Sequence, residues 1–184
     1  MPKVSQEHLN ARRAEILEGA RRAFSRYGYE GATVVKLEQE TGLSRGAIFH
    51  YFESKLDLFV ALATSDNLGY QAVMIEDGVD AVFHVIAAAD PEWLRVLIET
   101  EAKLLHDEEF QRRLATTAEQ QAALLGSFAR AQADGRMRDD LDATDLVRFT
   151  TMVVNGLALR VAVGDPTDVG TVLTLVNDAL RPRD

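Results

Sequence analysis

Apolar residues recur at three- and four-residue spacing along nearly the whole chain, and no stretch sustains the in-out alternation of a strand. The pattern therefore predicts an all-α protein of about nine helices. In the first, Ile16, Leu17, Ala20, Ala23, Phe24 and Tyr27 form one stripe, and Gly28 supplies the stop. Thr33 is placed to cap a short second helix whose Val34 and Leu37 face inward, and Gly42 ends it. Ser44 caps a third helix after a very short connection, and a long fourth helix runs from Lys55 into the seventies. Gly78 precedes a helix over 79–89, and Asp90-Pro91 opens another to about His106. A long helix is expected over 107–133, ended by Asp134-Gly135. Asp142 caps the next, to about Val163, and Gly164-Asp165-Pro166 separates it from a last helix ending near Leu180.

Charge changes this picture by its distribution. The chain of 184 residues has a formal net charge of −9, which on its face opposes binding to a polyanion. Residues 1–60 hold nine Lys+Arg against eight Asp+Glu; residues 61–184 hold eleven against twenty-one. A near-neutral head with clustered arginines is compatible with DNA, and an acidic body is repelled by it. No cysteine is present, which excludes disulfides and thiolate metal sites. No apolar run reaches the length of a membrane span. The start, Met1 to Glu7, lacks the apolar stretch of a signal peptide, so a cytoplasmic protein is expected.

The segment that carries chemistry is 28–59. Two short helices flank the turn Thr41-Gly42-Leu43, the arrangement of a helix-turn-helix whose second helix enters the major groove. That second helix is thin on its leading side: Ser44, Gly46 and Ala47 let its backbone approach DNA, and Arg45 can reach the paired acceptors of guanine. Ile48 and Phe52 anchor it to the head's core. The order Gly28-Tyr29, Ala32-Thr33-Val34, Gly42-Leu43-Ser44 and Phe52-Glu53-Ser54-Lys55 followed by Leu58-Phe59 resembles the signature of TetR-type repressors. The resemblance implies a three-helix DNA-binding head (1–54) and a helical body (55–184) that dimerises and senses a ligand. It implies that Thr33, Tyr51 and Lys55 bind phosphate, and that Arg45, Ala47, Phe49 and His50 lie against bases or groove wall. One departure is Leu37-Glu38, where the family pattern has Ile-Ala; Glu38 is expected to face outward near DNA. Residues 1–62, with Glu15-Ile16-Leu17-Glu18-Gly19-Ala20-Arg21-Arg22, and the ending Leu175 to Asp184 also resemble actinobacterial repressors of the aconitase gene, which implies citrate with a divalent ion as effector.

In the body, Phe149, Val153 and Leu157 on one helix and Val169, Leu173 and Val176 on the next form stripes suited to a homodimer interface, or to the protomer's own core. Tyr70, Met74, Trp93, Leu97, Phe128 and Asn155 are candidates to line an effector pocket. Arg130, in an alanine-rich helix, is either paired or available to an acidic effector. His106-Asp107-Glu108-Glu109 has metal-ligand residue types, but it sits at a helix start, where acids complement the dipole, so no metal and no cofactor are expected. No nucleophile elbow, metalloprotease helix, P-loop or dinucleotide fingerprint is present, and the four histidines fall in separate segments, so no enzyme is expected. The alternative is an acidic helical adaptor or ligand-binding protein without DNA binding. Salt dependence separates the two, because each phosphate contact gives a log–log slope of about −0.9.

Overall fold

Helix boundaries follow the caps. The structure, a computed structural model, describes residues 6–114 and 118–183. Among them are ten helices and no strand: α1 (Gln6–Gly31), α2 (Val34–Thr41), α3 (Arg45–Phe49), α4 (Lys55–Glu76), α5 (Val79–Ala87), α6 (Pro91–Lys103), α7 (Glu108–Leu114), α8 (Ala118–Ala133), α9 (Ala143–Ala162) and α10 (Val169–Leu180). The single helix expected over 107–133 is described as two, α7 and α8; residues 115–117 lie outside the described residues, as do Met1 to Ser5, on which the signal-peptide expectation falls. Gly28, expected to stop the first helix, has φ 71° and kinks α1 three residues before its end. The side chains of Thr33, Ser44 and Asp142 each accept a backbone N–H of the helix they precede. Asp107 accepts the Phe110 amide at 2.8 Å, which makes it the cap of α7, and no metal-binding cluster occurs among the described residues.

Backbone contacts divide the chain into two compact units, Met1–Asp66 with Val96–Leu114, and Asn67–Arg95 with Ala115–Asp184. In the first unit, Ile16, Ala20, Ala23 and Phe24 of α1 are fully buried together with Leu37, Ile48, Leu58 and Phe59. Each such large apolar side chain contributes about 1.5–3 kcal/mol. Gly19 sets how closely α1 and α2 approach: a Cβ there would lie 2.7 Å from the Thr41 Cα, and backbone cannot yield as a flexible side chain can. Around this contact Glu40 of α2 gathers Arg26 at 3.4 Å and the Tyr27 hydroxyl at 3.3 Å, while Arg22 donates to the Glu40 carbonyl at 2.6 Å. Phe59 packs edge-on to Phe24 and stacks toward Phe110, so α7 shares the core that holds the first three helices.

The second unit has its own core: Val82, Phe83 and Ile86 of α5, Leu124 and Phe128 of α8, Leu146, Val154 and Leu157 of α9, and Leu173, Val176 and Leu180 of α10. Its loop between α8 and α9 is held by one buried charge. Arg138 pairs with Asp140 through two 2.7 Å bonds, and also donates its amide to the Leu180 carbonyl at 2.8 Å and a guanidinium N–H to the Ala179 carbonyl at 3.1 Å. A buried guanidinium is tolerated because its donors are matched in this way.

Candidate nucleic-acid interface and effector cavity

The recognition element is short, and its orientation rests on neighbours outside it. Gly42, at φ 70°, turns the chain between α2 and α3, a conformation that costs glycine little. Ile48 is fully buried and Phe52 nearly so; they fasten α3 to the head from its inner side. Arg13 of α1 lies over the Phe52 ring at 4.3 Å and donates to the Tyr51 carbonyl at 3.4 Å, which holds the far end of the same element. The outer side carries exposed Ser44, Arg45 and Gly46, with Ala47 half-buried. A Cβ added at Gly46 would meet nothing within 4 Å. The Arg45 guanidinium has no partner among the described residues. Its amide does: it donates to the carboxylate of Glu38 at 2.6 Å.

The other expected contacts sit around this face in different states. The Thr33 hydroxyl accepts the Lys36 amide at 3.4 Å, which leaves its own proton to donate. His50 is exposed and edge-on to Tyr51, ring centres 5.3 Å apart; Tyr51 and Phe49 are half-buried. Lys55 is engaged within the head: its ammonium donates to the Tyr29 carbonyl at 2.9 Å and lies 4.4 Å from the centre of the Tyr29 ring. One N–H of three is thereby used.

In the second unit a cavity of about 600 Å³ opens between the end of α4, the start of α5, α8 and the end of α10. Met74, Phe128 and Arg130 line it; Tyr70, Trp93, Leu97 and Asn155, the other expected pocket residues, do not. Trp93 is buried, and Asn155 is exposed on α9. Arg130 has no ion-pair partner among the described residues, and its guanidinium folds back over Gly126, where an added Cβ would stand 3.4 Å from it. Arg136 and Arg181 also reach the cavity, beside Glu76, Asp77 and Asp80. Asn177 donates to Asp80 at 3.0 Å across it. Arg136 pairs with Asp134 at 2.9 Å and Arg181 with Asp178 at 3.3 Å, so Arg130 is the cavity's arginine without an ion-pair partner among the described residues.

Residues 16–62 match the description "Bacterial regulatory proteins, tetR family", and residues 74–182 match "BetI-type transcriptional repressor, C-terminal". The chain belongs to the TetR family. It is 44% identical to the HTH-type transcriptional repressor Rv1474c of Mycobacterium tuberculosis, over 98% of this chain and 99% of that protein. It is 41% identical to the HTH-type transcriptional repressor AcnR of Corynebacterium diphtheriae, over 98% and 97%. Among solved structures it is similar to Salmonella enterica GusR, with a TM-score of 0.71 at 20% identity over 97% of this chain and 99% of that one; at that identity the likeness speaks to fold alone. This TetR protein is therefore a helix-turn-helix transcriptional repressor, and the family it belongs to is one of regulators.

Of the six residues expected at a dimer interface, Leu157, Leu173 and Val176 are buried in the second unit's own core, and Phe149, Val153 and Val169 are half-buried against it. The apolar side chains that remain exposed on α9, its C-cap and α10 are others: Met152 at 66%, Leu159, the C-cap Val163, and Leu175 at 64%. Met152, Leu159 and Val163 follow one another at seven and four residues, so they share one side of α9 with the small Gly156. Sequence periodicity missed this side because one stripe on each helix already accounts for its apolar content. It also missed Arg136 and Arg181, which reach the cavity from chain segments beyond helix ends, although the Asp134-Gly135 turn signalled where one such segment begins.

Proposed function

We propose that this TetR-family repressor acts in the cytoplasm as a homodimer on a palindromic DNA operator, reads bases through Arg45, and is released by a small carboxylate bound in the cavity beside Arg130. It has no catalytic role in this reading. The observation that carries it is the outer side of α3: a guanidinium with no partner among the described residues, flanked by Ser44, Gly46 and Ala47, with open space where a larger side chain at Gly46 would stand. A side chain tied down within the protein could not turn to a base edge; this one can. Thr33 and Tyr51, with the remaining donors of Lys55, supply the phosphate contacts that set register, and Phe49 and His50 lie along the groove wall. Residues 1–54 form the DNA-binding part and 55–184 the sensing and dimerising part. The dimer is held by the exposed apolar side of α9 and α10, with half-buried Phe149, Val153 and Val169 at its margin. Citrate, bringing with it the divalent ion that the resemblance implies, suits the cavity's chemistry because three arginines line it, and an aconitase gene is the corresponding target.

The test starts from duplexes enriched out of a random pool by the wild-type protein. Arg45→Ala should weaken binding to the enriched duplex by about 1–3 kcal/mol and relax preference at one position in each half-site. Equal losses on enriched and random duplexes would make Arg45 a phosphate contact and remove the base-reading role.

A further inference from the structure

We propose that Glu38 is a specificity-determining positioning residue: its carboxylate fixes the first turn of α3, and its charge weakens binding to any duplex alike. The inference rests on α3 being the base-reading element. α3 has five residues, so its first turn is most of the helix. The amides of Arg45, Gly46 and Ala47 precede the first intrahelical bond, which runs from the Ile48 amide to the Ser44 carbonyl. Ala47 donates to the Ser44 hydroxyl at 3.3 Å, and Arg45 donates to Glu38 at 2.6 Å. Ser44 caps from within the same turn. Glu38 caps from the preceding helix, seven residues back, so its bond fixes α3 relative to α2 and directs the Arg45 backbone from which the reading side chain departs.

The same carboxylate stands beside the surface that would meet DNA. A negative charge there repels the phosphate backbone for every sequence alike. That penalty is common to all duplexes and cancels in their ratio, so discrimination comes from the bond that fixes the Arg45 backbone, while the charge sets the overall strength of binding. An alanine, as in the family pattern, supplies neither the acceptor nor the charge.

Glu38→Gln keeps an oxygen acceptor and removes the charge; Glu38→Ala removes both. Binding of each is measured on the duplex enriched by wild type and on a random duplex of equal length, at two salt concentrations. Glu38→Gln should tighten enriched and random duplexes alike, by about five-fold, and leave the ratio of the two affinities near wild type. Glu38→Ala should bind random duplex like Glu38→Gln but bind the enriched duplex about five-fold more weakly than Glu38→Gln, the usual scale of a lost cap. Equal enriched-duplex affinities for the two variants would overturn the positioning role. Random-duplex binding of Glu38→Gln equal to wild type at low salt would overturn the charge role. A wild-type protein that enriches no sequence would instead overturn the base-reading assignment of α3, and this inference with it.

Discussion

Lys55 and Tyr29 are joined twice. The ammonium donates to the Tyr29 carbonyl at 2.9 Å and sits 4.4 Å from the centre of the Tyr29 ring, while that ring packs edge-on against buried Phe59. The first residue of α4 is thereby tied to the chain just after the Gly28 kink. A lysine assigned to phosphate by its place in a motif is also a strut within the head.

Both roles are separable by experiment. Lys55→Ala is expected to cost about 1–2 kcal/mol of stability, from one charge-assisted hydrogen bond and a cation–π contact in a half-exposed setting. It should also weaken enriched and random duplexes alike and reduce the salt slope by about one unit. Thermal unfolding and a salt titration are read on the same preparation. An unchanged salt slope would confine Lys55 to the strut.

The parts of this fold that could be read in the sequence are those fixed within one turn of chain. Thr33, Ser44 and Asp142 cap helices because a hydroxyl or carboxylate two or three residues before an amide can reach it whatever the rest does. Glu38 could not be placed in that way. Its bond to Arg45 exists because Gly42 reverses the chain and brings the end of α2 over the start of α3. The buried and exposed sides of α9 cannot be told apart in the sequence for a similar reason: Leu157 and Leu159 are both apolar, and only the packing of α5, α8 and α10 decides that Leu157 is inside and Leu159 outside.

That division changes which substitutions test the dimer. Met152→Glu with Leu159→Glu places charges on the exposed side of α9 and should give a folded monomer, seen as halved mass in sedimentation equilibrium with an unchanged helical spectrum. Leu173→Asp should instead unfold the second unit, since burying an uncompensated charge costs several kcal/mol. A wild-type protein that sediments as a monomer at micromolar concentration would refute the dimer.

The carboxylates give the stability of the protein its pH dependence. Asp140 is held below the usual range first by its hydrogen bonds to Arg138, Asp142 by the Thr144 amide, and Asp168 by the Thr171 hydroxyl and amide. A depressed folded-state value means that their stabilisation is complete above the ordinary carboxylate range and is lost as pH falls through the folded values. Glu101 runs the other way: burial raises it, so its contribution is present at acid pH and lost as pH rises through the raised value. Glu101→Gln should therefore raise the denaturant midpoint at neutral pH and leave it nearly unchanged near about pH 4. Asp168→Asn should lower it at neutral pH and matter less in acid. A Glu101→Gln protein less stable than wild type at neutral pH would show that its carboxylate has a partner worth more than its desolvation.

Arg130 carries the sensing reading, and its environment makes the test decisive. The guanidinium lines the cavity, has no ion-pair partner among the described residues, and rests over Gly126, so its removal leaves no buried charge stranded. Arg130→Ala should then leave the melting temperature and unliganded duplex binding close to wild type while abolishing release by the effector. One helix, α4, carries both Lys55 and the cavity's Met74, which gives ligand binding a covalent route to the head. Coupling of this kind typically amounts to about 1–3 kcal/mol, or roughly 5–150-fold in affinity, and reciprocity requires enriched duplex to weaken effector binding by the same factor. Citrate with and without magnesium, titrated into the protein–duplex complex, measures one side; calorimetry of citrate with and without duplex measures the other. Magnesium citrate that at millimolar concentration releases neither wild type nor Arg130→Ala would end the citrate proposal, and a melting temperature that falls with DNA binding in Arg130→Ala would make the arginine structural.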